Sequence, residues 1–202
     1  FEATATVTVS QVAASITVAP TSLSFASIGD TTTVVGTVRD AGGGAIPSPS
    51  PTVTWATSAE GVATVSAAGL VTAVANGTAT LTATSGSLTA TATATVSQVA
   101  ASVTLAPTSL SFASVDDTTT LVPTVRDAND NVMSGATVTW ATSAQGVATV
   151  SSAGLVTAIA NGTATITATS GSVNATATVT VSQVAASVTL SPTSLSFSSV
   201  DD

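Results

Sequence analysis

The chain has 202 residues and sets ten carboxylates against two arginines, a formal charge of −8 at pH 7. A surface of that sign repels nucleic-acid phosphates and anionic lipid headgroups, and no apolar run approaches the ~18 to 20 residues of a membrane span, so neither partner is expected. His, Cys, Tyr and Lys are all absent, which removes disulfides and the usual nucleophile–base pairs and metal clusters; no enzyme is expected.

The first ten residues, FEATATVTVS, align with residues 88–97 and 173–182 and read as the last strand of a preceding copy. At Gln11 the string Gln-Val-Ala-Ala-Ser begins, and it recurs at Gln98 and Gln183, at offsets of 87 and 85 residues. The slip of two falls in one loop, between Arg39 and Trp55. The resulting division is a terminal strand over 1–10, one repeat over 11–97, a second over 98–182 and the start of a following one over 183–202. A copy of that size holds one small core, and neighbouring copies are expected to support one another.

Period-two alternation along the first copy predicts strands near residues 12–18, 23–25, 31–39, 52–57, 62–66, 70–75, 78–84 and 87–96, and the second copy repeats them. Turn residues separate them: Pro20-Thr21, Gly29-Asp30, the Gly42-Gly43-Gly44 stretch with Pro47, Pro49 and Pro51, Ala68-Gly69, Asn76-Gly77 and Ser85-Gly86. Asn76-Gly77 and Asn161-Gly162 read as tight hairpin turns. The same asparagines and Asn174 fit the N-glycosylation pattern. Pro20, Pro107 and Pro192 break the first strand of every copy; proline cannot donate to a ladder, so this strand is expected at an edge, changing sheets. Pro123 stands where the first copy has Gly36, and a bulge or missing pairing there suits both. Seven or eight short strands per copy predict an all-β chain of β-sandwiches.

Aromatics are few, and Phe25, Trp55, Phe112 and Trp140 are the expected core of the two copies. The tryptophans sit in Thr-Val-Thr-Trp-Ala-Thr on the same face as Val53 and Val138; stacking on sugar is the alternative role.

The string from Gly61 to Ala83 (GVATVSAAGLVTAVANGTATLTA), preceded by Trp55-Ala56-Thr57-Ser58 and Pro20-Thr21-Ser22-Leu23, resembles the bacterial immunoglobulin-like domain of group 2. The resemblance covers both copies. It implies tandem Ig-like seven- to eight-stranded sandwiches arranged end to end, as in bacterial adhesins, surface-layer proteins and phage structural proteins, with no catalytic motif to carry over.

Only Ser97-Gln98 joins the last strand of the first copy to the first strand of the second, and a junction without Gly or Pro predicts a stiff rod. Each copy would add roughly 35 to 45 Å of length. The last strand, with Ala90, Thr91, Ala92, Thr93, Ala94 and Thr95, alternates small and Thr side chains and carries no Lys. It reads as a solvated strand within one closed domain, and the alternative is an inter-chain edge open to strand exchange with other copies in a filament.

Asp127, Asn129, Asp130 and Asn131 form an oxygen-rich loop, a weak calcium candidate that is otherwise a plain Asx turn. The first copy has Asp40-Ala41-Gly42-Gly43-Gly44 there. Asp116-Asp117 and Asp201-Asp202 are solvated turns, with a calcium bridge at the junction as the alternative. Arg39-Asp40 and Arg126-Asp127 read as exposed pairs that orient a loop. No other cofactor is expected. The function expected is a structural extracellular fibre or stalk at a cell surface, with adjacent repeats as partners. The alternatives are an adhesin module for carbohydrate or a receptor and a virion decoration domain.

Overall fold

A computed structural model describes residues 11–46, 51–196 and 198. The strand expected over 1–10, Pro47 and Pro49 of the long loop, and Asp201-Asp202 lie outside the described residues. Every regular element described is a strand. The first copy holds β1 (Ser15–Ala19), β2 (Ser22–Phe25), β3 (Thr31–Thr33), β4 (Val35–Arg39), β5 (Thr54–Thr57), β6 (Ala63–Val65), β7 (Leu70–Ala73), β8 (Gly77–Ser85) and β9 (Leu88–Val96). The second holds β10 (Ser102–Ala106), β11 (Ser109–Phe112), β12 (Thr118–Thr120), β13 (Val122–Arg126) and β14 (Thr139–Thr142). It continues with β15 (Ala148–Val150), β16 (Leu155–Ala158), β17 (Gly162–Ser170) and β18 (Val173–Val181).

In the first copy the strand orders are β2-β9-β8-β5, β3-β7-β6 and β1-β4, and the second repeats them as β11-β18-β17-β14, β12-β16-β15 and β10-β13. Small residues line the inner faces. Along β8, Ala79, Leu81, Ala83 and Ser85 are buried while the threonines between them are not, which is the alternation a half-buried strand requires. Ala79, Leu81 and Ala83 share one cluster with Val34, Val71, Ala73, Ala92, Ala94 and Val96. Phe25 and Phe112 are 4% and 5% exposed. Trp55 is half-buried against the same cluster, and Trp140 is half-buried at the matching place.

The break at proline has the form that its missing N–H demands. β1 pairs antiparallel with β4, and beyond Pro20 the chain enters the four-stranded sheet as β2, parallel to β9. The Ala19-Pro20 and Ala106-Pro107 peptides are cis.

Three expectations need correction. The strand expected over 31–39 is two strands, because β3 pairs with β7 and β4 with β1 in different sheets; buried Val34 stands at the change and donates its N–H to the carbonyl of Gly69 at 2.8 Å. Leu121 does the same with Gly154 at 2.9 Å, so the interruption falls there rather than at Gly36 and Pro123. Asn76-Gly77 is not a hairpin turn: β7 and β8 lie in different sheets, and the pair carries the crossover between them. The actual hairpin is Gly86-Ser87, with Ser85 opposite Leu88.

The third correction concerns the candidate edge. Thr93, Ala94 and Thr95 lie between two strands, opposite Ser22, Leu23 and Ser24 of β2 and opposite Thr80, Ala79 and Thr78 of β8. The sheet change at Pro20 delivers β2 to that side. Ala90, Thr91 and Ala92 pair with β8 alone, since the first residue of β2, Ser22, lies opposite Thr93.

The packing of the chain forms two compact units whose limits do not follow the repeats. One holds the described residues up to Val103 with Thr124–Thr137 and Ser170–Val173; the other holds Thr104–Pro123, Val138–Thr169 and the described residues from Asn174 onward. The loop at Asp127 therefore belongs to the first unit.

Candidate functional site

The loops that follow β4 and β13 are built alike. Asp40 closes the first: its Oδ1 accepts the N–H groups of Gly42 and Gly44 at 3.0 and 2.9 Å, and its own N–H reaches the Gly44 carbonyl at 2.9 Å. Asp127 closes the second through the N–H groups of Asn129 and Asn131, also at 3.0 and 2.9 Å. Both are Asx turns, the local bond that makes Asp a turn former. Gly43 and Asp130 take positive φ at the same point, 81° and 65°. The arginines support the loops from i−4, Arg39 Nη1 donating to the Gly43 carbonyl and Arg126 Nη1 to the Asp130 carbonyl. The expected Arg126-Asp127 pair is not formed. Arg126 instead stands 3.7 Å from the exposed Asp130 carboxylate, while Asp127 turns inward.

What differs is the use made of the second loop. Asp127 is 3% exposed. Its Oδ2 accepts the backbone N–H of Ile28 at 3.0 Å and Gln98 Nε2 at 2.8 Å. Asn129 Nδ2 donates to the Ile28 carbonyl and to Asp30 Oδ1, both at 2.9 Å. Asn131 Nδ2 reaches the same Ile28 carbonyl at 2.9 Å. The loop Asp127–Asn131 is thus clasped to the turn Ile28-Gly29-Asp30. In the first copy Gly42 and Gly44 stand where Asn129 and Asn131 do, so that loop lacks the two amides.

The clasp continues into the junction. Gln98 donates its N–H to Asn76 Oδ1 at 2.8 Å and accepts from Asn76 Nδ2 at 3.1 Å. Ser97 N–H bonds to the Phe25 carbonyl at 3.0 Å, and Val99 N–H to that of Ala26 at 2.9 Å. Neither Asn76 nor Gln98 was singled out by sequence as a site residue. The spacing of 22 residues between an Asn-Gly and the Gln of the opening motif, present again at Asn161 and Gln183, is the signal that could have found them.

Burial by itself would raise the Asp127 pKa. Hydrogen bonds from Gln98, Ile28 and Asn131 outweigh it and hold the group at about 2, below the ordinary 3.8, because each donor favours the charged form. The same donors bear on the calcium reading. A cation needs free oxygen lone pairs, and both Asp127 oxygens already accept N–H groups, while the Asn129 and Asn131 amides point their nitrogens at acceptors. Among the described residues no group of three or more acidic side chains gathers at one point. Added calcium and subsequent EDTA are therefore expected to leave the melting temperature unchanged; a rise of several degrees with calcium would show that the loop reopens to bind it.

The bacterial Ig-like domain (group 2) model matches residues 12–96 and 99–181, most of the chain. The chain belongs to this family of bacterial Ig-like domains. Its two matched segments correspond to the two sandwiches, so each copy is one group 2 domain. Among solved structures, domains 1–6 of the surface layer protein SbsC are similar at 23% identity and a TM-score of 0.42, over 87% of this chain and 29% of that one. The Yersinia pseudotuberculosis adhesin InvE is similar at 18% and 0.43, over 82% and 58%. Human protocadherin-24 EC1-2 is similar at 12% and 0.37, over 87% and 100%. No curated protein matches the chain by sequence. The family assignment rests on the two matched segments and not on these likenesses.

Proposed function

We propose that these group 2 Ig-like domains serve as a structural stalk or spacer of an extracellular, cell-surface protein. The observation that carries the reading is the junction. Ser97, Gln98 and Val99 each donate their backbone N–H to the first domain, so the link contains no slack segment, and Asp127 fastens the loop beyond it to Ile28. A connection tied at Ser97, Gln98, Val99 and Ala101 resists bending where a Gly/Ser linker would not. An acidic surface dominated by Thr, Ser and Ala, with 6% charged residues, is chemically inert and suits a spacer. Catalysis has no place in this reading, since the sequence holds no His, Cys, Lys or Tyr.

The test sets the denatured mass of the polypeptide beside the contour length of native particles seen by electron microscopy. A single-chain stalk gives roughly 35 to 45 Å for each domain. Particles much longer than their chains would replace the stalk by a filament of many chains. Compact particles with no extended contour would sink both readings.

A further inference from the structure

The turn that receives the clasp in the first domain recurs, fully formed, in the second, where no loop among the described residues meets it in that way. Ser27 N–H bonds to Asp30 Oδ2 at 3.0 Å, and Ser114 N–H bonds to Asp117 Oδ2 at 3.0 Å. Gly29 N–H meets the Ala73 carbonyl at 2.9 Å, and Asp116 N–H meets that of Ala158 at 2.9 Å. The positive φ recurs, 87° at Gly29 and 66° at Asp116. The junction apparatus recurs with it. Gln183 N–H bonds to Asn161 Oδ1 at 2.8 Å, as Gln98 does to Asn76. Ser182 and Val184 reach the carbonyls of Phe112 and Ala113 at 3.0 and 3.1 Å.

Only the covering differs. Ser27 is 3% exposed and Asp30 half-buried, whereas Ser114 and Asp117 are exposed. The Ile28 N–H is spent on Asp127, while no described residue accepts the equivalent N–H of Val115.

We propose that the turn Ser114–Asp117, with Gln183, is a preformed docking seat for a third Ig-like domain joined in line at Gln183. The occupant is that domain's Asp-X-Asn-X-Asn loop: its Asp takes the Val115 N–H and the Gln183 side chain, and its two Asn amides take the Val115 carbonyl and the Asp117 carboxylate. The Asn pair selects the occupant. A loop of the Asp40–Gly44 type has the Asp but no amides to reach the seat, and engages it weakly.

The experiment compares this chain with one extended after Ser182 by a second copy of residues 98–182, reading amide hydrogen exchange at Ile28 and Val115 by NMR. In the present chain Ile28 is expected to be protected and Val115 to exchange about tenfold faster or more, the scale of one lost hydrogen bond. In the extended chain Val115 slows to the Ile28 rate. Changing the added loop's Asp to Ala, or both its Asn residues to Gly, returns Val115 to fast exchange while the added sheet amides stay protected. A folded added domain that leaves Val115 fast, with Ile28 protected, overturns the proposal. So does Val115 protection in the present chain that grows with concentration, which would make the occupant a separate copy.

Discussion

Replacing Gly69 by Ala is expected to destabilise the chain by about 2 to 5 kcal/mol, a large part of the roughly 5 to 15 kcal/mol that holds a typical domain. Gly69 sits at φ +80°, where a Cβ costs roughly 1 to 2 kcal/mol. An added Cβ would also strike the Val34 carbonyl oxygen and come within 3.4 Å of the Trp55 indole nitrogen. That oxygen is backbone, and its residue is the one that bonds Gly69 where the chain passes from β3 to β4. Relief therefore means moving the buried Val34 and the half-buried Trp55 together, and overpacking of that kind costs a further 1 to 3 kcal/mol or so. Gly154 repeats the arrangement, its Cβ falling 2.6 Å from the Leu121 oxygen and 2.9 Å from Trp140. Gly86 is the control: φ is +60° with nothing within 4 Å, so Gly86→Ala costs only the conformational part, about 1 kcal/mol. Urea titration of the three variants checks the difference. Equal midpoint shifts for Gly69→Ala and Gly86→Ala would show that the close approach carries no energy.

Asp127→Ala is expected to cost on the order of 2 to 3 kcal/mol, because it leaves the partly buried N–H groups of Ile28 and Asn131 and the Gln98 amide without their acceptor, along with the N–H of Asn129. Asp40→Ala, whose partners are exposed, costs about 1 kcal/mol or less. The pH dependence has a definite sign. A carboxyl held below its ordinary value stabilises the folded chain when ionised, so the contribution is complete above the ordinary value of 3.8 and is lost as the pH falls toward about 2. The melting temperature of the native chain should therefore drop more steeply than that of Asp127→Asn through this window. Parallel curves would mean that Asp127 titrates alike in the folded and unfolded states. Gln98→Ala at neutral pH is the companion measurement, since it removes a donor without removing the charge.

Much of the fold was legible because the copies differ little and alternation at period two survives in almost every strand. Leu81, Ala83, Ala92 and Ala94 fall on the inner face by parity alone. Parity does not say which sheet a strand joins, and the misreadings arise there. Asn-Gly between two alternating runs is the usual hairpin signal, yet at Asn76 the runs belong to different sheets and the asparagine serves the junction instead. Ala90 to Thr95 look like an unprotected edge until the parallel β2 is placed beside Thr93. The clasp was half visible: Asp127, Asn129 and Asn131 stood out as an oxygen-rich set, legible as an Asx turn with calcium as the weaker reading, and nothing in the loop itself marked its amides as donors to a distant turn. Their partners, Ile28, Asp30 and Gln98, lie 29 to 103 residues away. No local pattern reports a contact across that distance.

Gln98 bonds both Asn76 behind it and Asp127 ahead of it, and this bears on how such a gene lengthens. The five-residue motif that opens each copy is the place where both sets of bonds begin. A duplication cut there inserts a turn, a crossover asparagine, a glutamine and a receiving loop as one set. Each new copy arrives already matched to its neighbours. Drift at two codons, from Asn to Gly in a single loop, is then enough to give one joint of a lengthened array a compliance different from the rest.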